Sequence, residues 1–267
     1  MLESPNLLNL ICTIEPLLWF MAFYTYSHSG SGSRFRSFRS YLAIQMISAA
    51  LLAPLVLLML SASGHAAVLL NHMHTQIFWW GSIAAGVCGI VVQRDILSQI
   101  LMTLVGLQRL AVLSLQWLLV VAFVVILNRV LVGWGSLSYS SQLAVICYGV
   151  TLTQLITLFY VTPFTFLVRR AARSRYQDIL IGLWVLTLSH AVLDWGSWIQ
   201  KPLSSLVVMT QLLVVLTTQI FWICCFVGEE QTAEPRLLPL DSRLVRWSEK
   251  FRVLHRSAAP TSEERSR

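Results

Sequence analysis

Long apolar runs separated by short polar segments dominate the chain. Seven of these runs hold about 20 residues or more, enough for an α-helix to cross a hydrocarbon core about 30 Å thick. The runs are continuous rather than alternating, which argues against a membrane β-barrel. The pattern predicts an all-α, polytopic membrane protein with a bundle of seven transmembrane helices. The predicted spans are residues 6–27, 41–63, 75–93, 111–133, 143–168, 178–199 and 205–227.

Residues 94–110, RDILSQILMTLVGLQRL, are apolar but carry charges near both ends. The segment is too short to cross the membrane while leaving the neighbouring spans intact. Two interpretations are open: an interfacial helix, or a continuation of the third span.

The chain divides at residue 228 into a transmembrane domain, 1–228, and a predicted cytoplasmic tail, 229–267. Within the tail, residues 241–256 place apolar side chains on one helical face and basic ones on the rest. A basic amphipathic helix just inside a membrane is expected to lie on anionic headgroups, although a partner-binding or solvated helix is the alternative. The residues expected at the membrane surface are Arg243, Arg246, Trp247, Lys250, Phe251 and Arg252.

Composition agrees with the membrane class, and the distribution of charge predicts an orientation. Of 267 residues, 56% are hydrophobic and only 12% are charged, with a net charge of +7. The basic residues concentrate in the segments that follow spans one, three, five and seven, whereas the alternate connections hold only Lys201. Because cytoplasmic loops collect Lys and Arg, we expect the N-terminus outside and the C-terminus in the cytoplasm. The same bias explains the net charge without a nucleic-acid partner.

Ionisable side chains within the spans are costly in lipid and therefore mark candidate sites. The stretch TLSHAVLDWGSWIQ of span six places Thr187, His190, Asp194 and Ser197 on one helical face. Their depth allows two pairings, Glu15 with His190 and Arg129 with Asp194. The candidate ligand or proton-site residues are Glu15, Arg129, Gln154, His190, Asp194 and Gln211.

Spans five and seven carry further polar stripes, which together with span six could line an outward-facing cavity. The residues of these two stripes are Cys147, Thr151, Gln154, Thr157, Gln211 and Thr218. The alternative is that the same side chains form hydrogen bonds between helices, worth about 0.6–2 kcal/mol each.

Three features resemble seven-span inner-membrane proteins of acidobacterial type. They are the early stretch EPLLW at 15–19, an arginine-containing loop before span two, and the run IFWWGSIAAGVCGIVVQRDILSQIL at 77–101. The resemblance extends over most of the chain in pattern and spacing. It implies a location in the bacterial cytoplasmic membrane and implies no activity, since none is established for that group.

Three classes of function remain open. A sensor or receptor-like bundle with a small outer-side pocket is favoured, because the chain lacks the internal repeat of many transporters and its basic tail suits a cytoplasmic partner protein. A small transporter or proton-coupled permease is the first alternative. An intramembrane metal-dependent hydrolase is the second, although the last span has TTQIFWICC where seven-helix hydrolases of the ceramidase and adiponectin-receptor type have an HxxxH pair. No catalytic residue, metal ligand or cofactor is predicted.

Overall fold

The computed structural model describes residues 5–29, 36–102, 104–133, 139–168, 175–198, 205–227, 245–250 and 253. Within this part of the chain helix is the only regular secondary structure, so the all-α prediction is confirmed. The long helices are α1 (Pro5–His28), α2 (Arg36–Ser61), α3 (His65–Ile100), α4 (Val105–Gly133), α5 (Tyr139–Val168), α6 (Arg175–Trp198) and α7 (Ser205–Val227).

Residues 94–100 follow the second interpretation, a continuation of the third span, whereas residues 105–110 follow neither interpretation. Helix α3 continues without interruption through Arg94 and Asp95 and ends at Ile100, so it is 36 residues long. Residues 105–110 form the first turns of α4. The extension does not lie flat on a membrane surface, because Ile96 and Leu97 are fully buried in the bundle core. The Gln108 amide closes the turn by donating to the Ser98 carbonyl over 2.9 Å.

Six of the helices close a ring, and the seventh lies outside it. Helices α1, α2, α3, α5, α6 and α7 contact one another in that order, and α7 returns to α1. In the part of the chain that the structure describes, helix α4 packs against α3 and α5 and no other helix. Side chains along the outer part of α4 are consequently exposed, among them Phe123 at 64% and Val132 at 79%. In a membrane protein such apolar surface faces lipid rather than water.

Aromatic side chains fill one end of the ring. Trp222 of α7 is fully buried, and its ring lies 5.2 Å from Phe38 and 6.3 Å from Trp19, measured between centroids. Its indole N–H donates to the Asp178 carbonyl of α6 over 3.1 Å. The indole fits there because Gly182, one turn further along α6, has no side chain to occupy the same space. Helices α1, α2, α6 and α7 are therefore joined at one buried ring system.

Over their described residues, five of the helices are long and apolar enough to cross a membrane, namely α2, α3, α4, α5 and α7. The other two, α1 and α6, have 24 residues each. At about 1.5 Å per residue this length also reaches across a hydrocarbon core. The chain is thus an integral membrane protein with several apolar helices in one bundle.

A short part of the tail is also described, and it contacts the bundle. Residues 245–250 are helical, within the predicted tail helix. Val245 packs against the hydrophobic core of the bundle and Ser248 is buried, whereas Trp247 is 54% exposed. The side of this segment that docks is thus the one bearing Val245 and Ser248. Arg243, Phe251 and Arg252 lie outside the described residues.

Candidate functional site

A cavity of about 270 Å³ lies inside the ring, between α2, α3, α5 and α6. Its lining residues fall near the middle of α3, α5 and α6, the depth at which polar groups are most costly in a membrane. The walls are formed by Tyr41, Gln45, Phe78, Trp79, Ser82, Ala85, Gly86, Cys147, Thr151, Gln154, Leu186, Thr187 and His190. None of these lining residues is Asp, Glu, Lys or Arg.

The cavity brings together parts of two polar stripes that the sequence places on separate spans. Cys147, Thr151 and Gln154 come from α5, and Thr187 and His190 come from α6. Thr157, the last member of the α5 stripe, behaves differently. It is fully buried and its hydroxyl donates to the Thr153 carbonyl of its own helix over 2.7 Å. The hydroxyl of Thr157 is therefore engaged within α5, and this residue does not line the cavity.

The close approach of α3 and α5 positions the Gln154 amide. A side chain at Gly89 would collide with that amide, and one at Gly86 would meet the Val150 side chain of α5. Small residues at these two positions thus allow α3 and α5 to pack closely, and a larger residue would require these α5 side chains to shift. Gln154 is 7% exposed, and the described residues give its amide no hydrogen-bond partner. A primary amide offers two donors and one acceptor oxygen, so the amide brings unused hydrogen-bonding capacity to the wall.

Thr187 and His190 form the polar part of the α6 wall. The Thr187 hydroxyl is buried and has no hydrogen-bond partner among the described residues. Most threonines of the bundle donate to the carbonyl four residues earlier, as Thr218 does to Val214 over 2.8 Å. The His190 ring bonds the Leu186 carbonyl, which engages one ring nitrogen as a donor. In the neutral tautomer the second nitrogen is then an acceptor.

The aromatic wall of the cavity was not predicted from the sequence. Phe78 and Trp79 lie on α3 with their ring centroids 5.3 Å apart, and Tyr41 lies on α2. Gln45 donates to the Tyr41 hydroxyl over 3.2 Å, so these two side chains support each other. The available signal was the polar residue Gln45 in a predicted span.

The other candidate residues lie away from the cavity. Glu15 lies on α1, where its carboxylate accepts a hydrogen bond from the Trp19 side chain. Arg129 is an exposed residue on α4. Gln211 lies on α7, and its amide nitrogen is buried without a partner among the described residues. Of the candidate residues, Gln154 and His190 therefore line the cavity, whereas Glu15, Arg129 and Gln211 do not.

The two pairings suggested by depth receive no support from helix packing. In the described part of the chain α1 has no contact with α6, and neither does α4. Glu15 and His190 are therefore on helices that do not touch, as are Arg129 and Asp194. The side chain of Asp194 lies outside the described residues, so its partner stays undefined.

Metal chemistry also gains no support from the arrangement. Within the described residues no three His, Cys, Asp or Glu side chains gather closely enough to hold an ion. The cavity itself contributes one histidine and one cysteine to such a set.

Comparison with protein families, curated proteins and solved structures finds no match to this chain. What the chain does must therefore be argued from the cavity and from its membrane setting.

Proposed function

We propose that the chain is a sensor or receptor-like seven-span protein of the bacterial cytoplasmic membrane, which binds a small molecule in the cavity beside His190. The observation that carries the proposal is the cavity itself, whose wall includes Thr187, a residue with a buried hydroxyl that has no partner among the described residues. A buried hydroxyl without a partner costs about 1–3 kcal/mol. A bound ligand that hydrogen-bonds to it recovers this energy, whereas a purely structural threonine would bond to its own helix as Thr218 does.

The proposed threading puts all seven helices across the membrane, with the N-terminus outside. Its support is the concentration of basic residues in alternate connections and the 24-residue length of α1 and α6. We further propose that the cavity is entered from the outer side. A ligand arriving from outside the cell would thus bind midway through the bundle.

The proposed output runs through the tail. Val245 packs against the bundle core, while Arg246, Trp247 and Lys250 remain exposed on the same short helix. Basic and aromatic side chains at this position suit anionic headgroups, and the same exposed surface suits a cytoplasmic partner protein. A change in bundle packing on ligand binding would reach the tail through Val245.

Thiol labelling tests whether the cavity is a water-accessible site. Cys147 lines the cavity, so a variant with the other four cysteines changed to Ser carries a native probe there. We expect 2-aminoethyl methanethiosulfonate, added outside to proteoliposomes, to modify Cys147. The matched control adds Val87→Cys and Cys147→Ser to the same background. Val87 is 48% exposed on α3 but does not line the cavity, and a thiol surrounded by lipid ionises poorly.

The pattern that contradicts the proposal is equal or faster modification of the Val87→Cys control. His190→Ala then separates the two roles open to that residue. As a ligand-contacting group, His190 can be lost with little change in thermal stability. As a structural hydrogen-bonding group, its loss lowers the melting temperature as well.

A further inference from the structure

The lining of the cavity narrows the chemistry of what it can hold. This inference deepens the proposed function and rests on it, since it assumes that the cavity admits a ligand. Three features of the wall act together: its volume, its lack of charged side chains and the hydrogen-bonding groups left unused.

Volume sets the size of the ligand. An apolar cavity of about 150 Å³ holds benzene, with six carbon atoms. By proportion, 270 Å³ has room for about ten non-hydrogen atoms. This is a single substituted ring or a fused bicycle rather than a drug-sized molecule or a lipid chain.

Charge sets the second limit. No lining residue is an acid, a lysine or an arginine, so an ionic ligand would find no counter-ion in the wall. A charge moved from water to such a site loses its hydration without a compensating partner. The ligand is accordingly uncharged. Phe78, Trp79 and Tyr41 give the site aromatic surface against which a flat ring can pack.

The unused polar groups set the third limit. Gln154 presents a primary amide, which can make a reciprocal pair of hydrogen bonds with a second amide or a lactam. Thr187 adds a hydroxyl that donates or accepts, and the second nitrogen of His190 adds an acceptor. A ligand that satisfies these groups carries a donor and an acceptor side by side. We propose that the cavity takes an uncharged, flat aromatic molecule of about ten non-hydrogen atoms bearing an amide- or lactam-type donor–acceptor pair.

Three probes of nearly equal shape test this ligand class. Benzamide has the donor–acceptor pair, acetophenone has a methyl group in place of the amide nitrogen, and benzoate has a charged oxygen there. Binding is measured by equilibrium dialysis of tritiated benzamide against the full-length protein in nanodiscs, with the other two as competitors and empty nanodiscs as the blank. We expect saturable benzamide binding, with acetophenone about threefold to tenfold weaker and benzoate weaker still.

Variants of the wall check that the binding is at this site. Thr187→Val and Gln154→Leu each remove a polar group at nearly constant shape, and each should bring benzamide down to the level of acetophenone. Thr218→Val is the matched control, since Thr218 is buried in α7 and does not line the cavity. The Thr218→Val variant should still bind benzamide more tightly than acetophenone.

Several outcomes overturn the ligand class: no saturable benzamide binding, benzoate binding as tightly as benzamide, or acetophenone binding equally well. A preference that survives both wall variants also overturns it. Labelling of Cys147 separates these failures from a failure of the proposed function. If the reagent reaches Cys147 and benzamide does not bind, only the ligand class is wrong. If the reagent also fails to modify Cys147, both the ligand class and the proposed function are wrong.

Discussion

Replacing Gly182 by Ala should destabilise the protein, although alanine is the better helix former by about 1 kcal/mol. The new methyl group would overlap the Trp222 indole, and the nearest atoms it meets all belong to that ring. Trp222 has no room to move, because it is fully buried among Trp19, Phe38 and Tyr41. Its N–H is also fixed to the Asp178 carbonyl over 3.1 Å.

The magnitude follows from what the indole must give up in order to shift. Losing the hydrogen bond to Asp178 costs about 1 kcal/mol, and disturbing one aromatic pair costs about 0.5–1.5 kcal/mol. The sum agrees with the usual cost of overpacking a core, about 1–3 kcal/mol. After subtraction of the helix-propensity gain of about 1 kcal/mol, the net loss is about 0.5–1.5 kcal/mol. This corresponds to a fall in melting temperature of about 1–6 °C for a chain of this size.

Thermal unfolding in detergent measures the effect, with two controls. Gly149→Ala also meets a side chain, but that side chain is the aliphatic Ile126 of the peripheral helix α4, which can rotate away. We expect a smaller change there. The second control introduces Gly182→Ala into a Trp222→Leu background, where the ring is absent and the alanine should be neutral or stabilising. If Gly182→Ala lowers the melting temperature equally in both backgrounds, the packing argument is refuted.

Three further predictions concern threading, the tail and the attachment of α4. A cysteine at position 138 in place of Ser138 should react with an impermeant reagent from outside, and one in place of Ser174 should not; the reverse pattern would invert the proposed orientation. Changing Arg246 and Lys250 together to Gln should expose the tail to protease in anionic vesicles and leave the unfolding temperature of the bundle unchanged; unchanged protection would exclude the surface role. The Tyr160 hydroxyl of α5 contacts the Ser114 hydroxyl of α4 at 2.6 Å and donates to the Ala111 carbonyl at 3.2 Å. Tyr160→Phe removes both contacts, so it should lower stability by about 1 kcal/mol and speed hydrogen exchange in α4. Unaltered exchange would show that lipid and packing alone hold that helix.

Hydrophobic patterning alone predicted the class of the protein and the places where helices form. In the hydrocarbon core no water is present to hydrogen-bond the backbone, and a helix satisfies its N–H and C=O groups within the segment itself. A long apolar run is therefore expected to form a helix. The boundaries of α7, predicted at 205–227, agree with the structure. For α3 the pattern stopped at Arg94, because charged residues normally end a span. The helix continues because Ile96 and Leu97 find a buried position beyond the charged pair.

The candidate site was only partly accessible to sequence reasoning. Helical periodicity correctly placed Thr187 and His190 on one face of α6, and Cys147, Thr151 and Gln154 on one face of α5. Depth along each helix is also a sequence property. Depth cannot say which helices are neighbours, however, and the pairings of Glu15 and Arg129 depended on that information.

What only the tertiary structure decided is the order of helices around the ring. The ring places α3 between α2 and α5 and puts α4 outside, so Arg129 is on the periphery and the aromatic wall of α3 faces the polar stripes of α5 and α6. Apolar helices are nearly equivalent to one another in lipid, since burial against lipid or protein differs little in hydrophobic energy. Their arrangement is set instead by local fit, such as the Gly89 surface against Gln154 and Gly182 against the Trp222 ring. The sequence by itself determined a bundle of membrane helices with polar stripes, and the packing of small against large side chains decided which stripes share a cavity.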